Sequence, residues 1–129
     1  MHMPSITAFY LAILALVYAA LALQVIRLRR SNKAAFGDAG NTRLHRAIRA
    51  HGNLLELTPF ALLLLFMMHG PMGHRLADIL AIILVIARFL HAGGMLGFLP
   101  YGRPAGAITT TVIMAVAGVS LIVAGVRGL

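Results

Sequence analysis

"RAIRAHGNLLELTPF" (residues 46–60), followed by "ALLLLFMM" (61–68), is the stretch whose reading decides the fold. A membrane helix needs about 20 mostly apolar residues. The run from Leu54 to Met68 falls short alone and reaches that length only when extended back to about residue 43. The extension draws Arg46, Arg49, Asn53 and Glu56 into the helix. At about 100° per residue these four fall near 0°, −60°, −20° and −80°, a single stripe that Phe60 continues. An ionisable group at the centre of a bilayer costs roughly 2.5–3.5 kcal/mol or more, and such groups normally face protein or water. The stripe is therefore expected to point inward or into a subunit interface.

Working outward, the same span length recurs. Ser5 to Ile26 is uncharged and ends in "RLRR" (27–30). It is too long for a signal peptide, and its basic residues follow it instead of preceding it, so it reads as a first span. "SNKAAFGDAGNT" (31–42) is small, polar and Gly-containing, hence a loop, and "HGPMGH" (69–74) and "PYGRPAG" (100–106) are turns. Between those turns an apolar run is broken by Arg88 and His91, and Ala105 to Val126 is charge-free. The expected fold is all-α, one domain over 1–129, an integral membrane four-helix up-down bundle with spans at about 5–28, 43–69, 75–97 and 105–126.

Composition agrees. The 129 residues are 60% hydrophobic and 11% charged, and the mean hydropathy is +0.92. A soluble domain carries about 25% charged residues. Asp38, Glu56 and Asp78 are the only acids against 11 Lys and Arg. In a soluble protein that excess would suggest nucleic acid, but here the cations cluster between apolar runs. Topology and anionic headgroups account for them, so membrane lipid is the expected partner and nucleic acid is not. Arg27, Arg29, Arg30, Lys33, Arg43, Arg46 and Arg103 lie in or beside the first and third loops. By the positive-inside bias those loops are cytoplasmic and both termini lie outside. The chain has no cysteine, so any thiol must arrive with a ligand.

Arg88, His91 and Met95 share one face of the third helix, within about 60° of one another. Arg88 lies deep enough to need a partner, and Glu56 is one of two acids at membrane depth. An Arg88–Glu56 contact would relieve both desolvation costs and could serve only to fix the bundle. The functional reading starts from the excess of Arg27, Arg46, Arg49 and Arg88 over Glu56. Several guanidinium forks and one carboxylate suit a small polyanion that also carries an amine. Glutathione has that character and would supply the missing thiol. His45, His51 and His91 lack metal-ligand spacing, and no metal is expected; His2, His69 and His74 read as terminal or loop residues. Gly93, Gly94, Gly97, Gly118 and Gly125 are expected to permit close helix packing. The threonines at 109–111 are expected to bond back to preceding carbonyls.

"RAHGNLLELTP" (49–59) resembles the signature of the MAPEG family, the membrane-associated proteins in eicosanoid and glutathione metabolism. "QVIRLRRSNKAAFGD" (24–38) resembles that family's end of helix one, and "ARFLHAGG" (87–94) its Arg-x-x-His on helix three. The resemblance spans nearly the whole chain and suggests a small bacterial-type member in an inner membrane. It implies a homotrimer with glutathione between adjacent subunits near the cytoplasmic face. It also implies that Arg27, Arg49, Asn53, Glu56, Arg88 and His91 hold glutathione. The activity implied is conjugation or reduction of lipophilic electrophiles or hydroperoxides.

Two positions depart from the pattern. Met95 stands where catalytic relatives have a Tyr, and Gly106 and Ala107 align with their thiolate-stabilising Arg of helix four. Arg103, one turn earlier, and Arg88 are the catalytic candidates that remain. A thiolate at neutral pH needs such a cation. Without one, the alternative is a non-catalytic, lipid-binding membrane scaffold of the same fold. A small exporter of cationic compounds would need surplus negative charge, which the arginines around Glu56 oppose.

Overall fold

The computed structural model describes residues 5–70 and 74–128. Its helices are α1 (Ser5–Ser31), α2 (Thr42–Met68), α3 (His74–Leu96) and α4 (Gly102–Val126). All four are long and apolar enough to cross a membrane. The middle of the turn expected at 69–74, residues 71–73, lies outside the described residues, as does His2.

Local chemistry sets the helix ends. α1 continues past the apolar run through Arg27–Arg30 because Leu and Arg are good helix formers. It ends where Lys33 adopts φ 51°, with Ala34 N–H donating to Arg29 O at 3.0 Å and Lys33 N–H to Arg30 O at 3.2 Å. Those paired bonds are a Schellman stop. α3 stops the same way, with Gly97 at φ 90°, Phe98 N–H on Gly93 O at 2.8 Å and Gly97 N–H on Gly94 O at 3.3 Å. α2 starts at Asn41, whose Oδ1 accepts from Leu44 N–H at 2.9 Å and so satisfies an otherwise orphan donor. α4 starts at Gly102, earlier than the expected 105, because Pro104 falls in its first turn, where a missing N–H costs nothing.

The first loop is tied down. Arg29 Nη1 donates to Gly37 O at 2.8 Å, Asn41 Nδ2 to Asn32 Oδ1 at 3.0 Å, and His45 Nδ1 meets Asp38 Oδ2 at 2.7 Å. At the other end of the helices, His69 is buried, with Nδ1 facing Leu65 O at 2.9 Å and Nε2 facing Asp78 Oδ1 at 3.1 Å. Expected as a plain loop residue, His69 instead ties the end of α2 to the start of α3.

α3 touches every other helix, α2 touches α1 and α4, and α1 and α4 do not meet among the described residues. The main core joins Leu14, Leu65, Met68, Leu84 and Ile113 around buried alanines. A second cluster, Leu21, Ala50, Leu54 and Ala92, sits nearer the first loop. α3 and α4 come into backbone contact near the third loop. A Cβ on Gly94 would overlap Arg103 N, one on Gly102 would overlap Leu90 O, and one on Gly106 would overlap Ala87 O. Gly118 and Gly125, expected to act likewise, have nothing within 4 Å of such a Cβ. They lie off the packed face of α4, next to Ala117 and Ala124, which are the buried residues at those turns.

Candidate functional site

α2 buries Leu44, Ala47, Ala50, Leu54, Thr58, Ala61, Leu65 and Met68. That face is centred about 120° from the polar stripe. Arg46, Arg49 and Glu56 are exposed and Asn53 is half-buried. Of the two expected directions, inward or into a subunit interface, the protomer does not take the inward one for Arg46, Arg49 and Glu56. The small and aliphatic face packs closest, and the charged residues take the opposite side of α2, the outer surface of the protomer.

Below the third loop the interior holds Arg88, 1% exposed. Its Nη1 donates to Asn53 Oδ1 at 3.2 Å, while Nε and Nη2 meet no partner among the described residues. The expected Arg88–Glu56 contact is absent. Asn53 lies about 60° around the helix from Glu56, on the side nearer the packed face, and of the two it is Asn53 that meets Arg88. Glu56 makes no ion pair among the described residues. His91, one turn beyond Arg88, is 4% exposed and packs against the Gly106 backbone. Thr110 and Thr111 bond back to Gly106 O (2.8 Å) and Ala107 O (3.0 Å) as expected. His51 leaves the stripe to stack on Tyr18, centroids 4.5 Å apart.

Above this buried column opens a cleft of about 690 Å³. Arg46 and Arg49 of α2, Met95 of α3, Tyr101 in the turn and Arg103 of α4 line it, with Thr42 and His45 at its rim. The α3–α4 glycine contact draws Arg103 in, since Gly94 lies against its backbone. Arg46 Nη1 lies 3.0 Å from where a Gly97 Cβ would be. Of the residues named from sequence, Arg49 and Arg103 share this cleft, and Asn53, Arg88 and His91 form the buried column. Arg27 is exposed on α1, and Glu56 is exposed halfway along α2; neither lines the cleft.

No carboxylate lines the cleft. Asp38, the acid nearest in sequence, is engaged by Gly40 N–H at 2.9 Å and by His45. The Gly40 hydrogen bond, then the His45 contact, holds its carboxyl below the usual carboxylate value. The cleft therefore keeps the charge of three arginines unneutralised. Sequence reading missed Tyr101 and Thr42 as lining residues. Tyr101 lies there because it takes φ 62° at the α4 N-cap, a conformation that no local motif announces.

The MAPEG family model matches residues 7–123. The chain is 36% identical over 90 residues to the inner membrane protein YecN of Escherichia coli (strain K12), a match covering 69% of each chain. The YecN of Escherichia coli O6:H1 (strain CFT073) matches to the same extent. With four helices of spanning length and a family match running from α1 to near the end of α4, the chain belongs to the MAPEG family of membrane proteins.

Proposed function

We propose that this protein binds glutathione at the basic cleft and uses its thiol against lipophilic electrophiles or hydroperoxides. The observation that carries the reading is a cleft with Arg46, Arg49 and Arg103 and no carboxylate. The first turns of α2 and α4 add their positive dipole ends. Glutathione brings two carboxylates for those cations, amides for the polar rim and the thiol that this chain lacks.

Arg49 and Arg46 hold carboxylates, and Arg103, which lines the same cleft, favours the thiolate. Asn53, Arg88 and His91 stand behind the cleft lining as its buried support, and a ligand reaches them only through a rearrangement that uncovers Arg88 Nε and Nη2, which have no partner among the described residues. Arg27 and Glu56 complete the site from a neighbouring subunit of a homotrimer. The outward stripe supports that assembly, since Glu56 would otherwise face lipid halfway along its helix. The loops at the basic end lie in the cytoplasm and the termini outside an inner membrane. The electrophile enters from the bilayer between α1 and α4 of adjacent subunits, helices that do not meet within one protomer. In conjugation the thiol gives its proton to water, sulfur bonds to the electrophilic carbon, and the displaced electron pair leaves on the leaving group or takes up a proton. In reduction two glutathiones become a disulfide as a hydroperoxide becomes an alcohol and water.

Calorimetric titration of glutathione into detergent-purified protein, with Arg49→Ala as control, tests the binding. Saturable binding lost in the variant supports it; a well-folded oligomer that takes up none at millimolar glutathione sinks it.

A non-catalytic, lipid-binding scaffold is the second reading, and Gly106 favours it. A side chain there would run into Ala87 O and His91, so no cation can stand at that point of helix four. An apolar groove of about 170 Å³ between α1 and α2, lined by Leu11, Leu14, Tyr18, Leu55 and Pro59 among others, is available to a lipid chain. Glutathione binding without turnover of model electrophiles would select this reading.

A further inference from the structure

Beside the basic cleft lies a second one of about 410 Å³, and its chemistry differs. It is lined by Gln24 of α1, Thr42, Arg43 and Arg46 of α2, and Leu96 and Phe98 at the end of α3. One wall is cationic. Arg43 and Arg46 are a helical turn apart, the start of α2 adds its dipole, and no carboxylate lines the space. The facing wall is apolar, with Phe98 75% exposed.

Depth narrows what can fill it. Gln24 belongs to the last turn of α1 before Arg27, where the uncharged run gives way to the basic one. Leu23 and Ile26 on either side are exposed large hydrophobics. The cleft thus sits at the level where a bilayer changes from hydrocarbon to headgroup. A soluble anion would satisfy the arginines and leave Leu96 and Phe98 facing water; a lipid phosphate uses both walls.

We infer that this side cleft binds the phosphodiester headgroup of an anionic membrane lipid, with Arg43 and Arg46 on the phosphate and Leu96 and Phe98 against the first acyl methylenes. Gln24 and Thr42 face the glycerol and headgroup hydroxyls. A zwitterionic lipid carries the same phosphate, but two arginines against one phosphate charge leave a surplus positive charge that repels its ammonium. Arg46 borders both clefts, so Arg43 and Gln24, which line this one and not the larger, carry the test that separates the two sites.

The test uses delipidated full-length protein in detergent, titrated with phosphatidylglycerol or phosphatidylcholine and read by native mass spectrometry. The variants are Arg43→Ala, Gln24→Leu and, as an equal charge change on an exposed residue outside the cleft, Arg30→Ala. Loss of a charge-assisted contact predicts a drop of about tenfold or more in phosphatidylglycerol affinity for Arg43→Ala. Gln24→Leu, which leaves the charge unchanged, lowers it several-fold. Diffuse surface attraction alone predicts about a fivefold drop for either arginine. Equal losses in Arg43→Ala and Arg30→Ala overturn the site, as does wild-type affinity in Gln24→Leu or equal affinity for the two lipids. Displacement of the lipid by chain-free glycerol phosphate at equal concentration overturns its lipid character.

Discussion

Arg88 on α3 donates to Asn53 Oδ1 on α2 across 3.2 Å, and Asn53 is the one side chain among the described residues that receives a hydrogen bond from this buried guanidinium. A charge 1% exposed and supported by a neutral amide depends heavily on that contact, because deleting a partner leaves the full desolvation penalty behind. Asn53→Ala should cost about 2–3 kcal/mol of folding stability, measured by reversible unfolding in mixed micelles. The double change Asn53→Leu with Arg88→Met removes both polar groups and should recover most of that loss. Additive losses in the double variant would show that the two residues are not coupled.

Gly106 and Gly118 both lie on α4 and should answer oppositely to the same substitution. A Cβ at Gly106 would overlap Ala87 O, whereas one at Gly118 finds nothing within 4 Å. Gly106→Ala should therefore destabilise by about 1–3 kcal/mol through overpacking. Gly118→Ala should stabilise by about 0.5–1 kcal/mol through helix propensity. Unfolding midpoints in one detergent check both, and a neutral Gly106→Ala would mean that α3 and α4 part more easily than their contact implies.

Glu56 separates an isolated protomer from an assembly. On a lone protomer it is an exposed carboxylate halfway along a membrane helix, and Glu56→Leu would remove a penalty. In the proposed trimer the stripe is covered and the carboxylate has a partner, so Glu56→Leu should loosen the oligomer. Mass by light scattering or native mass spectrometry decides. An unchanged wild-type trimer in Glu56→Leu would place the stripe elsewhere.

The spans were legible because length and hydropathy alone select them, and the α1 and α3 ends needed only Lys33 or Gly97 to turn left-handed. The stripe on α2 was legible as a set of angles, since Arg46, Arg49, Asn53 and Glu56 do share a side. Its direction was legible only as a choice between the interior and a subunit interface. A helical period says which residues go together, and which side packs depends on neighbours that the period does not contain. Here Ala47, Ala50 and Ala61 won the interior. The same gap explains the Arg88 partner: charge complementarity favoured Glu56, but Asn53 is the one of the two turned toward Arg88. Arg103 was legible as a candidate cation, yet its place in the cleft rests on the Gly94 contact with its backbone, which a stripe of glycines suggests without fixing.

Asp38 gives the first loop a pH dependence whose sign is fixed. Gly40 N–H donates to its carboxylate at 2.9 Å, His45 faces it at 2.7 Å, and both hold the charged form, lowering its pKa from the ordinary 3.8. A carboxyl whose folded value is depressed contributes fully above its unfolded value and loses that contribution as pH falls through the folded one. The loop should therefore keep its geometry at every pH above about 4 as far as this group is concerned, and loosen only in more acidic solution. Because Asn41 caps α2 from the same loop, loosening should appear as faster amide exchange at Gly40 and Leu44. Asp38→Asn should abolish that acid-induced change while leaving the spans intact. A carbon-13 carboxyl titration of Asp38 with its midpoint at or above 3.8 would show that the Gly40 and His45 contacts do not persist in the membrane-embedded protein.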